Sequence, residues 1–160
     1  MKVDSEDLTR KLAAKLRQKG FRLCTAESCT GGLIAKTLTD LAGSSTWFDR
    51  GFVTYSNQAK IDMLGVQAST LEAHGAVSTE VAQEMAAGAL MHSEAQVSVA
   101  VTGIAGPDGG SPDKPVGTVC FAFAIQHKIL TERQYFEGDR ARVRDDSLIF
   151  VLTRLNELLR

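Results

Sequence analysis

The sequence predicts an α/β fold, a three-layer α/β/α sandwich with a mixed β-sheet. Segments with helical periodicity alternate with short β-branched segments, the order that builds parallel strands with helices on both faces. VSVAVT, residues 97–102, is nearly all apolar or small, as a strand covered on both faces must be, so it is expected at the centre of the sheet. Two later strand segments, 116–125 and 130–136, are separated only by a short turn at His127-Lys128. A connection that short joins antiparallel neighbours, which makes the sheet mixed.

The elements follow in order. Residues 4–19 place Leu8, Leu12 and Leu16 at steps of four, and Gly20 supplies a left-handed helix stop. A short strand, 21–25, leads into the polar stretch Glu27-Ser28-Cys29-Thr30-Gly31-Gly32, after which LIAKTLTDLAG resumes helical periodicity and ends at Gly43. The β-branched and aromatic content of 47–55 predicts a strand, and 57–64 a short helix closed by Gly65. Ser78 is placed to cap a helix over 79–92, whose Ala82, Ala86, Ala87 and Ala89 permit close packing on a sheet. GIAGPDGGSPDKP, 103–115, holds four of the fourteen glycines and all three prolines, and its length marks a functional loop. A helix over 139–159 closes the chain, and with no repeat or linker inside it the length fits one domain, 1–160.

Composition excludes several classes. With 44% apolar and 23% charged residues the chain is globular rather than disordered or fibrous. A net charge of −1 lacks the basic excess of a domain that neutralises many phosphates, so nucleic acid is not an expected partner. No apolar run approaches the ~18 residues of a membrane span, and MKVDSEDLTR has no signal-peptide core; a cytoplasmic protein without membrane contact is expected. Cys24, Cys29 and Cys120 are odd in number and show no CxxC spacing, which predicts reduced thiols. Three scattered histidines without HExxH predict no metal site.

Four places could carry chemistry. Ser28 lies between a strand end and a helix start, where amides of the first helical turn and the helix dipole could receive an oxyanion. Equally, Ser28 or Thr30 could simply cap that helix. His74, His92 and His127 sit in polar stretches with no Ser or Asp pattern around them, so a Ser-His-Asp triad is not expected. Lys60 is the alternative base, provided burial or a neighbouring cation lowers its pKa; it follows Tyr55-Ser56-Asn57 at a strand-to-helix junction, so Tyr55 and Lys60 could both face the sheet end that presents Ser28. A solvated surface lysine is the plain alternative. Thr102-Gly103 opens the glycine-rich loop, which matches neither a Walker A sequence nor GxGxxG. Arg140 and Arg144 stand four apart on one helix face near its N-terminus, where a cation does not help the dipole and a phosphate would explain it; pairing with Asp145 and Asp146 is the other reading.

The order of these motifs carries a resemblance. TAESCTGG (25–32), AGSSTWFDRGFVTYSNQAK (42–60), GAVS (75–78), VTGIAGPDGG (101–110), KPVGTV (114–119) and FEGDRARVR (136–144) together resemble the CinA C-terminal domain family over almost the whole chain. The resemblance implies an α/β/α amidohydrolase that converts nicotinamide mononucleotide and water to nicotinate mononucleotide and ammonia, with no cofactor, acting as a homodimer. It implies Ser28 as nucleophile, Lys60 as general base and Tyr55 as an orienting or proton-relay group. Thr102 and Gly103 would contact substrate beside the acyl centre, Arg140 and Arg144 would meet its phosphate, and Ser45 would add a polar group to the pocket. Cys29 and Thr30 would give their amides to the oxyanion. Two alternatives stay open: Cys29 as the nucleophile, since a thiol near a helix N-terminus can be activated, and a catalytically silent nucleotide-binding or interaction module linked to competence or DNA damage, since fold membership does not guarantee activity.

Overall fold

The computed structural model describes residues 3–160. The chain runs α1 (Ser5–Lys19), β1 (Leu23–Glu27), α2 (Leu33–Thr39), a 3-10 turn (Ser44–Thr46), β2 (Phe48–Val53), α3 (Asn57–Leu64), α4 (Ala68–His74), α5 (Thr79–Met91), β3 (Val97–Gly103), β4 (Thr118–Ile125), β5 (Lys128–Tyr135) and α6 (Arg140–Leu158). The five strands form one sheet in the order β2-β1-β3-β4-β5. β1 pairs in parallel with β2 and β3, whereas β3–β4 and β4–β5 are antiparallel, so the expected mixed sheet with VSVAVT at its centre is the one observed.

Alternation along the strands divides the core in two. Val97, Val99, Val101, Phe121 and Phe123 face α1, α2 and α6, where Leu12, Leu16, Leu152 and Leu155 meet them without exposure. Each such side chain contributes roughly 1.5–3 kcal/mol by leaving water. The other face carries small residues, Cys24, Ala26, Ala100, Ala122 and Ala124, against Ala82, Met85, Ala86 and Ala89 of α5 and Leu64 of α3. Small against small draws the helix backbones close. A methyl group added to Gly88 of α5 would lie 1.9 Å from the Leu64 carbonyl oxygen, so α5 fixes the end of α3 by backbone contact.

Side chains set most helix starts. The Asp4, Ser56, Ser78 and Asp139 side chains accept from Glu6, Ala59, Val81 and Arg142 N–H respectively, and Gly20 and Gly65 close α1 and α3 at φ 68° and 71°. The second helix departs from expectation. It starts at Leu33 behind Gly32, which has no side chain to cap it, and ends at Thr39 rather than Gly43. The cap comes from the preceding strand: the buried Glu27 carboxylate accepts from the Ile34 and Ala35 N–H groups, both at 3.0 Å. Neither Ser28 nor Thr30 caps a helix. Other boundaries move less. β1 lies two residues later than expected, and the β4–β5 turn is Gln126-His127, because Ile125 pairs directly with Lys128. The seven-residue α4 was not expected; Glu84 holds its start by accepting from Gln67 N–H at 2.8 Å and from the Thr70 hydroxyl at 2.6 Å.

Candidate active site

Parallel register brings three hydroxyl residues together at the carboxyl ends of neighbouring strands, Thr54 and Ser28 one residue past β2 and β1 and Thr102 in the last two residues of β3. Ser28 N–H donates to the Val101 carbonyl at 2.9 Å and Thr54 N–H to the Glu27 carbonyl at 2.8 Å, so Thr54, Ser28 and Thr102 continue the β2-β1-β3 ladder in one row. Three residues separate β2 from α3, and Ser56 caps the helix, which turns Lys60 back over that row. The Lys60 Nζ lies 3.1 Å from the Ser28 Oγ and 3.1 Å from the Thr54 carbonyl oxygen. Lys60 is 1% exposed. Burial lowers its pKa from the ordinary 10.5, since no carboxylate repays the lost hydration of the ammonium. A solvated surface lysine is therefore not what the fold makes of it.

The pair opens into a cavity of about 270 Å³. Ser28, Lys60, Tyr55, Thr102, Gly103 and Arg140 all line it. The Thr102 hydroxyl donates to the Ala76 carbonyl at 2.9 Å and so offers a ligand only its lone pairs. Gly103 has no room for a side chain, because a Cβ would lie 2.8 Å from Val119 and 3.0 Å from the Thr118 carbonyl oxygen. Arg140 is braced at the cavity wall: its Nη1 donates to the Gly106 carbonyl and its Nη2 to the Tyr55 Oη, both at 2.8 Å. Sequence reasoning missed Asn57, Ala76, Val77 and Asp108, which also line the space. The GAVS segment and the glycine-rich loop contain three of them, so only those segments, not the individual residues, were readable.

Several expectations need correction. Arg144 does not line the cavity; its Nη2 donates to the Thr30 carbonyl at 3.0 Å, under the loop that carries Ser28. One helical turn along α6 takes it from the pocket wall to the loop that carries Ser28. Ser45 sits on the 3-10 turn before β2, at the opposite end of the parallel strands from Ser28, where its carbonyl accepts from Arg22 at 3.2 Å. It lies outside the pocket. The helix-start amides expected to serve an oxyanion are taken by Glu27, and the amides next to Ser28 belong instead to the loop residues Cys29 and Thr30, which donate to no other residue among the described residues; of the two, Cys29 lines the cavity and Thr30 does not. The Cys29 thiol is buried, and desolvation pushes its pKa up to about 12. That opposes a nucleophilic role, because the reactive species is the thiolate. No histidine lines the cavity.

Fold and cavity together define an α/β/α domain with a buried Ser-Lys pair at the carboxyl ends of its parallel strands and an arginine across the pocket. Residues 5–159 match the CinA C-terminal domain, and the chain belongs to that family. It is 56% identical over 156 residues to the nicotinamide-nucleotide amidohydrolase PncC of Enterobacter agglomerans, covering 96% of this chain and 95% of that protein. The protein of the same name from Escherichia coli K12 is 53% identical over 156 residues, covering 96% and 94%. Among solved structures, the competence/damage inducible protein CihA from Agrobacterium tumefaciens superposes with a TM-score of 0.95 at 48% identity, over 100% of this chain and 98% of that one.

Proposed function

We propose that this protein is a nicotinamide-nucleotide amidohydrolase that hydrolyses the carboxamide of nicotinamide mononucleotide to nicotinate mononucleotide and ammonia through a Ser28 acyl-enzyme. The observation that carries the mechanism is the buried 3.1 Å contact between Lys60 Nζ and Ser28 Oγ. The substrate assignment is supported by relatives of that name at 53–56% identity over nearly the whole chain.

In this reading neutral Lys60 takes the Oγ proton as Ser28 attacks the carboxamide carbon. The tetrahedral oxyanion faces the amide of Cys29, which lines the cavity beside Ser28. Lys60 returns the proton to the departing nitrogen, the C–N bond breaks and ammonia leaves. Lys60 then removes a proton from water, whose oxygen attacks the acyl carbon, and the proton passes to Ser28 as the ester bond breaks. Arg140 pairs with the substrate phosphate, for which a planar guanidinium fixed by Tyr55 and the Gly106 carbonyl is already oriented. The whole cycle uses one domain and no cofactor, and we place it in a cytoplasmic homodimer.

Ammonia release from nicotinamide mononucleotide by wild type, Ser28→Ala, Lys60→Ala and Cys29→Ala tests the proposal. Turnover by wild type and Cys29→Ala only is the expected result. An inert wild type that still binds the nucleotide would make this a binding module, and loss confined to Cys29→Ala would move the nucleophile to the thiol.

A further inference from the structure

Oxyanion stabilisation by a helix N-terminus is closed to this site, because the Glu27 carboxylate occupies the Ile34 and Ala35 amides. Within the loop 28–32 Cys29 lines the cavity directly beside Ser28, and a loop amide serves an oxyanion only if its peptide plane is held still. Two consecutive contacts hold these planes. The Gly31 N–H donates to the Ser28 carbonyl at 3.0 Å. That carbonyl shares a rigid plane with the Cys29 N–H, so fixing one points the other the opposite way. The Gly31 N–H itself shares a plane with the Thr30 carbonyl, which accepts from Leu33 N–H at 3.0 Å and from Arg144 Nη2 at 3.0 Å. The guanidinium also packs against the loop: a Cβ on Gly31 would lie 3.4 Å from the same nitrogen. Gly31 and Gly32, at φ 56° and 102°, do not stiffen this turn by themselves.

We propose that Arg144 is a positioning residue for the reaction: by holding the Thr30 carbonyl it orients, through two linked peptide planes, the Cys29 amide that receives the oxyanion. The inference rests on the amidohydrolase reading and adds to it a residue that touches neither substrate nor reacting atoms. It also separates two arginines that look equivalent in sequence. Arg140 lines the cavity and binds, whereas Arg144 lies beneath the loop and orients.

The test is steady-state kinetics of Arg144→Met and Arg144→Lys on nicotinamide mononucleotide and on the phosphate-free nicotinamide riboside, with Arg142→Ala, an exposed neighbour on the same helix, as control. A misdirected oxyanion donor costs about 100-fold in kcat, and Arg144→Met is expected to lose about that much with KM within about threefold. The loss should be equal on the two substrates, because the phosphate plays no part in it. Arg144→Lys, which keeps the charge and a donor group but not the planar fork, should fall between; if the Met variant does not fold, the Lys variant carries the same comparison. A raised KM confined to the phosphorylated substrate would make Arg144 a phosphate ligand, and unchanged kinetics would show that the loop holds itself; either overturns the proposal. Should wild type release no ammonia, the amidohydrolase reading falls separately and hydrogen exchange decides the loop. Exchange at the Gly31 amide should be at least about tenfold faster in Arg144→Met, since one held contact of ~1.4 kcal/mol corresponds to that factor, and an unchanged rate would overturn the positioning role.

Discussion

The Tyr55 Oη accepts a hydrogen bond from Arg140 Nη2 at 2.8 Å across 85 residues of sequence, while Ser28 and Lys60 bond each other. The Tyr55 hydroxyl thus bonds the arginine and not Ser28. Removing the hydroxyl frees one arm of a guanidinium that Gly106 still holds, and a hydrogen bond to a charged group contributes about 1.5–3 kcal/mol. Tyr55→Phe is therefore expected to lose at least about tenfold in kcat/KM, nearly all of it as raised KM for the phosphorylated substrate. A proton relay would show the reverse, lowered kcat at unchanged KM, so initial rates over a range of substrate concentrations distinguish the two.

The lowered pKa of Lys60 links activity and stability to pH with a definite sign. In the proposed mechanism activity needs the neutral amine, so it should fall as pH drops through the lowered pKa. Between that pKa and the ordinary 10.5 the unfolded chain binds more protons at this position than the folded one, so stability rises with pH there, by up to about 1.4 kcal/mol per unit. Below the lowered pKa both states are protonated and the slope disappears. Lys60→Met should abolish ammonia release and remove this rise, so that wild-type and variant stabilities converge toward pH 10 and differ most at lower pH. Urea titrations from pH 6 to 10 measure the difference; parallel curves would mean that the lysine does not titrate differently on folding.

Cys29 gives a third prediction. With its thiol pushed up to about 12, roughly one molecule in 10⁴ carries the thiolate at pH 8. Iodoacetamide should leave activity intact at that pH. Cys29→Ala retains the backbone amide and should keep kcat within about threefold while losing about 1 kcal/mol of stability to the small cavity left in the core. Inactivation by the reagent, with protection by the nucleotide, would return the thiol to the mechanism.

Local chemistry was readable where the determinant sat beside its effect. Ser78 caps the helix it precedes, and Gly20 and Gly65 end helices where the sequence placed them. The Ser28–Lys60 pair was legible because Ser28 lies just past the end of β1 and Lys60 one turn into the helix that follows β2, and a parallel sheet gathers those ends at one edge. What was not legible depends on partners distant in sequence or on which end of a strand a residue occupies. Ser45 precedes its strand and Ser28 follows its own, so two polar serines near strands fall at opposite ends of the sheet. The start of α2 is set by Glu27, a cap lying six residues ahead of the helix rather than next to it. Helix α4 has no capping side chain of its own and takes its anchor from Glu84. Arg140 and Arg144 share a helix face, yet one turn separates the pocket from the loop beneath it, a distinction that spacing alone cannot carry.

Gly88 ties the fold to the chemistry and gives the last prediction. Its missing side chain lets α5 meet the Leu64 carbonyl at the end of the helix that carries Lys60, and a methyl group would be placed 1.9 Å from that oxygen. Backbone cannot give way as a flexible side chain can, so Gly88→Ala must push α3 outward. The overpacking cost is about 3 kcal/mol, set against the few tenths to about 1 kcal/mol that alanine gains as a helix former. For a chain of this size a net loss near 2 kcal/mol lowers the melting temperature by roughly 4–8 °C. The same displacement draws Lys60 Nζ away from Ser28 Oγ, so kcat should fall about tenfold or more even well below the melting temperature. Calorimetry and ammonia release on one preparation check both parts; a stable variant with full activity would show that α5 does not set the position of Lys60.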